Sequence, residues 1–480
     1  MKKFLLFIIL SFAFANAQLF YDKYGESRGA YKDSMEYAKL VELAQRFRGP
    51  ILVKMPVEGV KPRKNLEKIP QDKIQRTFEV RRDSLRDELW LEVEKNEIVK
   101  ICVDGPVVAW ETSMNSNIFN DSCLVFTVPT LIGVESIKVY LPESDSSHKI
   151  NLAVGMKYLD FKNEEVLVGF NELTRRKFVE LGAIEYDPEK HISVTGTYLV
   201  DKYPVTNCEF TQIMWDSIPA KASHIYKPDE NIQQKWVYRK KLSIHNKNCD
   251  VHDSAANIVY LQQALKYANA RSIREGLKPY YIFSETNLIK EDALEPGKYI
   301  ISNLNFSYNE GDNRCVLVSI DSTSDGYRLP FYDEWMMFAR GGDKEKDAPW
   351  DGDSTNFETT KKYAKFATAI KKFDSDSVGQ LQPNGYGLYD IFGLVWEHVL
   401  FKTINPNPYY DGHPACLKGG DNRVVQTHED QKGEFEFEPH WKLINYGFFM
   451  PNWGLAKGGF RLIRNIGNNA MWEKVEAKTK

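Results

Sequence analysis

Beyond residue 341 the chain is punctuated by turn glycines at short, uneven intervals: Asn384-Gly385, Gly387, Gly393, Gly419-Gly420 and Gly458-Gly459. Glycine takes positive φ without a Cβ penalty, so each position permits a sharp reversal. Long helices and regular strand ladders do not fit between reversals spaced this way. The segment is expected to fold as linked turns held by side chains. Aromatic residues make up 13% of the chain, with 10 Trp. Large rigid rings suit irregular cores of this kind, and also carbohydrate or protein binding.

The same region carries short motifs in fixed order: Gly326-Tyr327-Arg328-Leu329-Pro330, Asp333-Glu334-Trp335, Ala339-Arg340-Gly341-Gly342, Pro383-Asn384-Gly385-Tyr386-Gly387-Leu388-Tyr389-Asp390, Val395-Trp396-Glu397, Lys418-Gly419-Gly420 and Gly459-Phe460-Arg461. Arg328, Arg340 and Arg461 are expected to bridge turns to carboxylates, because one guanidinium satisfies several acceptors. Upstream, Tyr198 to Asn207 reads as a strand and turn that deliver a helix, with Asn207 placed to cap it. A second helix is expected from Ser254, with Ile258, Leu261, Leu265 and Ala268 on its buried stripe, and a third from Phe331, ended by Gly341-Gly342. Taken together, these motifs resemble the formylglycine-generating enzyme (sulfatase-modifying factor) family, from about residue 190 to 465. The resemblance implies an α+β fold, irregular and akin to a C-type lectin. It casts Arg328, Trp335, Trp396, Glu397, Gly419, Gly420, Gly459, Phe460 and Arg461 as its structural motif residues.

Family enzymes oxidise a target cysteine to formylglycine and bind copper through two thiolates that follow the Gly-Gly motif. A soft monovalent copper ion needs soft ligands. Here the two positions fall near Val424 and Glu429, no cysteine lies between Gly420 and Gly459, and Cys416 precedes the glycines. The resemblance therefore implies a scaffold without its reaction, and copper is not expected. The replaced segment supplies other groups: Asp421, Asn422, Arg423, His428, Glu429, His440, Trp441 and Trp453 form a candidate binding groove, with Glu434, Glu436 and Glu438 alternating with Phe435 and Phe437. Such a set could hold a cation or a sugar, or it could be an edge strand with a solvated acidic face. The family also places a structural calcium site near Trp396-Glu397. Leu394 stands where an Asn ligand is normal, leaving Asp351, Asp353 and Asp390 as weak calcium candidates. His245, Cys249, Asp250, His252 and Asp253 form another cluster of ligand types, next to an expected helix start that Asp253 or Ser254 could cap.

The beginning of the chain reads as an export signal over 1–17: Lys2 and Lys3, an apolar run from Leu5 to Phe14, and Ala15-Asn16-Ala17 for cleavage. Residues 18–86 read as a helix (Ser34 to Phe47) followed by a charged, proline-bearing arm. Residues 87–160 read as an all-β sandwich, with Lys95-Asn96 turning one strand into the next. The family-like domain is expected over 165–470. Six cysteines in an exported chain point to disulfides, and Cys102 with Cys123 is the first pairing to expect. A formal net charge of -3 gives no footprint for nucleic acid, and no later apolar run is long enough to span a membrane.

The functional expectation is a non-catalytic binding or structural module of the cell envelope or exterior, periplasmic or extracellular, with a glycan or an envelope protein as ligand. The alternative is an enzyme, either the formylglycine-generating oxidase itself or a metal-dependent catalyst using His428, Glu429 or His440 in the same groove.

Overall fold

The computed structural model describes residues 51–54, 69–85, 89–120, 122–142, 144, 146–169, 171–172, 176, 189–214, 253–256, 259–285, 297–302, 315–342, 348, 360–365, 377–402, 415–420, 426–429, 435–437, 457–466 and 472–474. The expected export signal and the helix over Ser34 to Phe47 lie outside them.

Among the described residues, nine strands come first: β1 (Ile51–Lys54), β2 (Arg76–Val80), β3 (Leu89–Val93), β4 (Ile98–Val103), β5 (Ala109–Thr112), β6 (Ser116–Asn120), β7 (Cys123–Thr127), β8 (Gly133–Tyr140) and β9 (His148–Val154). They form two sheets, ordered β1-β5-β8-β9-β3 and β2-β4-β7-β6. Alternating apolar residues from both sheets share one core: Val99, Ile101, Leu124 and Phe126 from one, and Trp110, Ile137, Val139, Ile150 and Leu152 from the other. The Cys102–Cys123 disulfide staples directly paired positions of β4 and β7. The two-sheet unit therefore starts upstream of residue 87. Part of the expected arm is strand: β2 pairs in parallel with β4, and Leu85 is buried in the shared core. Strands β3 and β4 are not a hairpin either. Asn96, at φ 61, turns the chain out of the sheet in which β3 pairs in parallel with β9 and into the sheet that holds β4.

At Gly155 the chain passes into a long hairpin of β10 (Met156–Val168) and β11 (Lys190–Asp201), which pair antiparallel along most of their length. After it come α1 (Asn207–Met214), β12 (Val259–Tyr260), α2 (Leu261–Arg274), the meander β13 (Tyr281–Glu285), β14 (Lys298–Ser302) and β15 (Cys315–Ile320), and α3 (Tyr332–Arg340). The rest is short: β16 (Glu397–Leu400), β17 (Ala415–Lys418), β18 (Gln426–Glu429), β19 (Phe435–Phe437), β20 (Lys457–Gly458), β21 (Ile463–Ile466) and β22 (Trp472–Lys474). Strands β21 and β22 return to pair with β11, so the end of the domain closes on its beginning.

Local chemistry sets the helix ends. Helix α1 is capped by Thr206, whose Oγ1 accepts from the Glu209 N–H while Glu209 Oε2 accepts from the Thr206 N–H, a reciprocal capping box. The Asn207 side-chain oxygen has no partner, so the capping residue is one earlier than the sequence reading placed it. Helix α2 begins at Leu261 rather than Ser254. Residues 254 and 255 are held in bridges to Ser377 and Thr206, and Gln263 Oε1 accepts from the Tyr260 N–H at the true start. Helix α3 stops at Gly341, at φ 77.

Candidate functional site

The Gly419-Gly420 turn sits on a floor built by α3, β16, β17 and the Gly459-Phe460-Arg461 segment. At its centre, Glu397 accepts from Arg461 Nε and Nη2 at 2.7–2.9 Å, and from Trp335 Nε1 at 2.8 Å. Arg461 also donates to the carbonyls of Tyr389 (2.9 Å) and Asp201 (3.2 Å), so one planar cation ties four chain segments together. Neither side chain of the pair reaches solvent. Nearby, Arg328 clamps Glu334 with bonds of 2.6 and 2.7 Å and donates to Asn465 Oδ1. The same carboxylate accepts from the Phe331 N–H at the start of α3. Arg340 donates to Gly169 O and Glu189.

The glycines of the motifs are demanded by close approach. A Cβ on Gly419, at φ +95, would sit 2.7 Å from Ile391 O and 3.2 Å from the Trp335 ring. A Cβ on Gly459 would meet Val395 and Ala256 O below 3 Å. The Gly459 N–H donates to Trp396 O, and the His398 N–H to Gly459 O. Phe460 is fully buried and meets Tyr267 edge-on at 5.2 Å. Lys418 buries its stem, donates to Tyr332 Oη at 3.2 Å and lies over the rings of Tyr332 and Trp335.

Three buried titratable groups border this floor. Asp390 accepts from the Gly379 N–H, and burial pushes its carboxyl up to about 6 against that bond and the Arg461 charge. Burial pushes His398 down to about 4, with its Nε2–H donating to Val259 O at 2.8 Å and Nδ1 unpartnered. Asp201 is held by Arg271 at 2.8–2.9 Å and by the Leu462 N–H; burial still carries its carboxyl up to about 6.

Of the expected groove, Asp421, Asn422, Arg423, Val424, His440, Trp441 and Trp453 lie outside the described residues, as do Asp351 and Asp353. His428 and Glu429 are placed by backbone alone, on β18 opposite Glu436 and Phe435 of β19. Cys416 is on β17 opposite Val399, buried in an apolar cluster with Trp335, Trp396 and Leu417. The donor set along 421–458 holds no thiolate, and it does not fit a soft monovalent copper ion. At the calcium position Leu394, at φ 62, packs its apolar side chain among Tyr203, Val378 and Val395 and supplies no side-chain oxygen. Among the described residues, no group of three or more His, Cys, Asp or Glu is poised to hold a metal ion. Of the second cluster, only Asp253 is described. Its Oδ2 accepts from the Cys208 N–H, which places it at the start of α1 rather than α2.

The sequence reading gave no site role to Asp201, Arg271, Glu209, Lys418 or His398. The signal for Asp201 was present, since it ends the strand that opens the domain. The other four make contacts with segments up to 139 residues away.

The described apolar motif residues pack into two clusters, Phe460 in one and Trp335 with Trp396 in the other, and the family profile of the sulfatase-modifying factor enzyme 1-like domain matches residues 159–466. The chain belongs to this family. A chaperone protein, LppX, of Paenibacillus barcinonensis is 32% identical over 221 residues, covering 44% of this chain and 63% of that protein. The formylglycine-generating enzyme of Mus musculus is 26% identical, over 36% of this chain and 54% of its own length. The inactive C-alpha-formylglycine-generating enzyme 2 of Mus musculus is 39% identical over 77 residues, 15% of this chain and 25% of the relative. The chain thus spans less than two thirds of each of these relatives. Among solved structures, Treponema denticola variable protein 1 aligns at a TM-score of 0.35 and 20% identity, covering 69% of this chain and 99% of that one.

Proposed function

We propose that this chain is an exported, non-catalytic member of the family, which uses the scaffold to bind a glycan or an envelope protein. The carrying observation is chemical: the segment between Gly420 and Gly459 contains no cysteine. Copper oxidation of a peptide thiol needs two soft ligands there, and His428, Glu429 and the neighbouring carboxylates are harder donors. Two described carboxylates of this region, Glu397 and Glu334, are spent on internal pairs. Glu397 is consumed by Arg461 and Trp335, and Glu334 by Arg328, so these carboxylates hold the fold rather than face a substrate. Two relatives lend support by name, one a chaperone protein and one an inactive C-alpha-formylglycine-generating enzyme 2. Export rests on the charged, apolar and small-residue pattern of residues 1–17. In the described residues no helix is long and apolar enough to cross a membrane.

Binding is tested by exposing the purified chain to a glycan array and to an envelope-protein extract, with His428→Ala and His440→Ala beside the parent. Capture that survives both substitutions, with no metal co-purifying, is the expected result. Stoichiometric copper, or conversion of a sulfatase peptide's cysteine to formylglycine, would overturn the proposal.

A further inference from the structure

The two-sheet unit reaches into the family domain with a charge rather than only a surface. Lys95, in the turn between β3 and β4, points its ammonium at Glu209 of α1, 2.8 Å away, and each side chain is only 2% exposed. Glu209 is the carboxylate that closes the α1 capping box on Thr206. Burial pushes Glu209 up, but Lys95, the Thr206 N–H and Arg271 more than reverse this, and its carboxyl lies below the ordinary range. Asp201, Asp253 and Tyr267 are the other titratable groups whose charge it feels.

Around this pair the boundary is continuous. Ile132 and Ala153 belong to the same apolar cluster as Leu199, Phe210, Leu265 and Phe460. Glu92 of β3 and Glu94 just after it pair with Lys157 and Lys202 respectively. Glu275 of the family domain accepts from the Val134 N–H, and Arg274 donates to Ile132 O. Trp90 stacks on Tyr158.

We propose that the two-sheet unit and the family domain are one cooperative body, latched by the burial of Lys95 against Glu209. Any partner then meets a fixed composite surface, and α1 depends on a residue outside the family domain. Removing one member of a buried pair strands the other charge, whereas neutralising both leaves no charge stranded.

The test is hydrogen exchange by mass spectrometry, with calorimetry, on the full chain. Three proteins are compared: the parent, Lys95→Met, and the double variant Lys95→Met/Glu209→Gln, whose amide oxygen can still accept from the Thr206 N–H. The parent is expected to melt in one transition. In Lys95→Met the α1 amides should exchange about 100-fold faster, and the double variant should return most of that loss. Two independent transitions in the parent overturn the proposal. So does unchanged α1 exchange in Lys95→Met. If Lys95→Met does not accumulate, the double variant carries the test alone: it is expected to fold, and its failure to fold also overturns the latch.

Discussion

Glu397→Gln should be among the most damaging isosteric changes in the described residues. Gln keeps the shape but exchanges one acceptor oxygen for an NH2. Trp335 Nε1 and the Arg461 fork both need acceptors, at 2.7–2.9 Å, so one of them must now face a donor. The Arg461 guanidinium is left buried without a counter-charge. Breaking a buried pair this way costs about 3–5 kcal/mol. A unit-charge interaction at ~4 Å with an effective dielectric of ~20 gives about 4 kcal/mol, the same range. Lys138→Met is the control, because it removes a pair whose lysine is 47% exposed and which should be worth no more than about 1 kcal/mol. Urea unfolding of the parent and both variants measures the two losses side by side. If Glu397→Gln costs no more than Lys138→Met, the claim that this pair organises the floor of the domain is refuted.

Further outcomes follow from the same geometry. The folded pKa of Asp390 is raised, so its protonated form is the one the fold favours. Its contribution is full below the ordinary carboxylate range and is lost as pH rises through about 6. Asp390→Asn should therefore gain on the parent by about 2–3 kcal/mol between pH 4 and 7, read from urea midpoints across that range. His398 has the opposite sign. Its pKa is depressed, so its contribution is present above about 6.5 and drains away as pH falls through about 4, and His398→Gln should flatten acid unfolding in that window. Thr206→Ala removes the α1 cap and should cost about 1–2 kcal/mol by denaturant unfolding. Gly393→Ala would place a Cβ 2.4 Å from Lys365 O at φ +74, and the variant should lose soluble yield or melt well below the parent.

Much of the fold class was legible because it is written locally. The Gly341 stop of α3 and the apolar alternation of β11 depend on neighbours in sequence, and the motif order exposed the irregular C-terminal domain. What escaped was set by distant partners. Strand β2 lies in a charged stretch whose pattern resembles a linker, and only its parallel pairing with β4 makes it a strand. The turn at Asn96 looked like a hairpin because sequence shows the reversal but not which sheet receives it. The α2 stripe was visible, yet its start was not, since residues 254 and 255 are drawn into bridges with Ser377 and Thr206. For the site, the motif turns could be read but the pairing of their charges could not. Nothing near Glu397 in sequence shows that its partner is Arg461.

The most direct test of the account is a titration of the purified chain with monovalent copper under a competing chelator, followed by incubation with a sulfatase peptide and intact-mass analysis. A scaffold with no thiolate between Gly420 and Gly459 should leave the copper with the chelator and the peptide cysteine unchanged. Tight one-to-one copper binding with formation of formylglycine would contradict it.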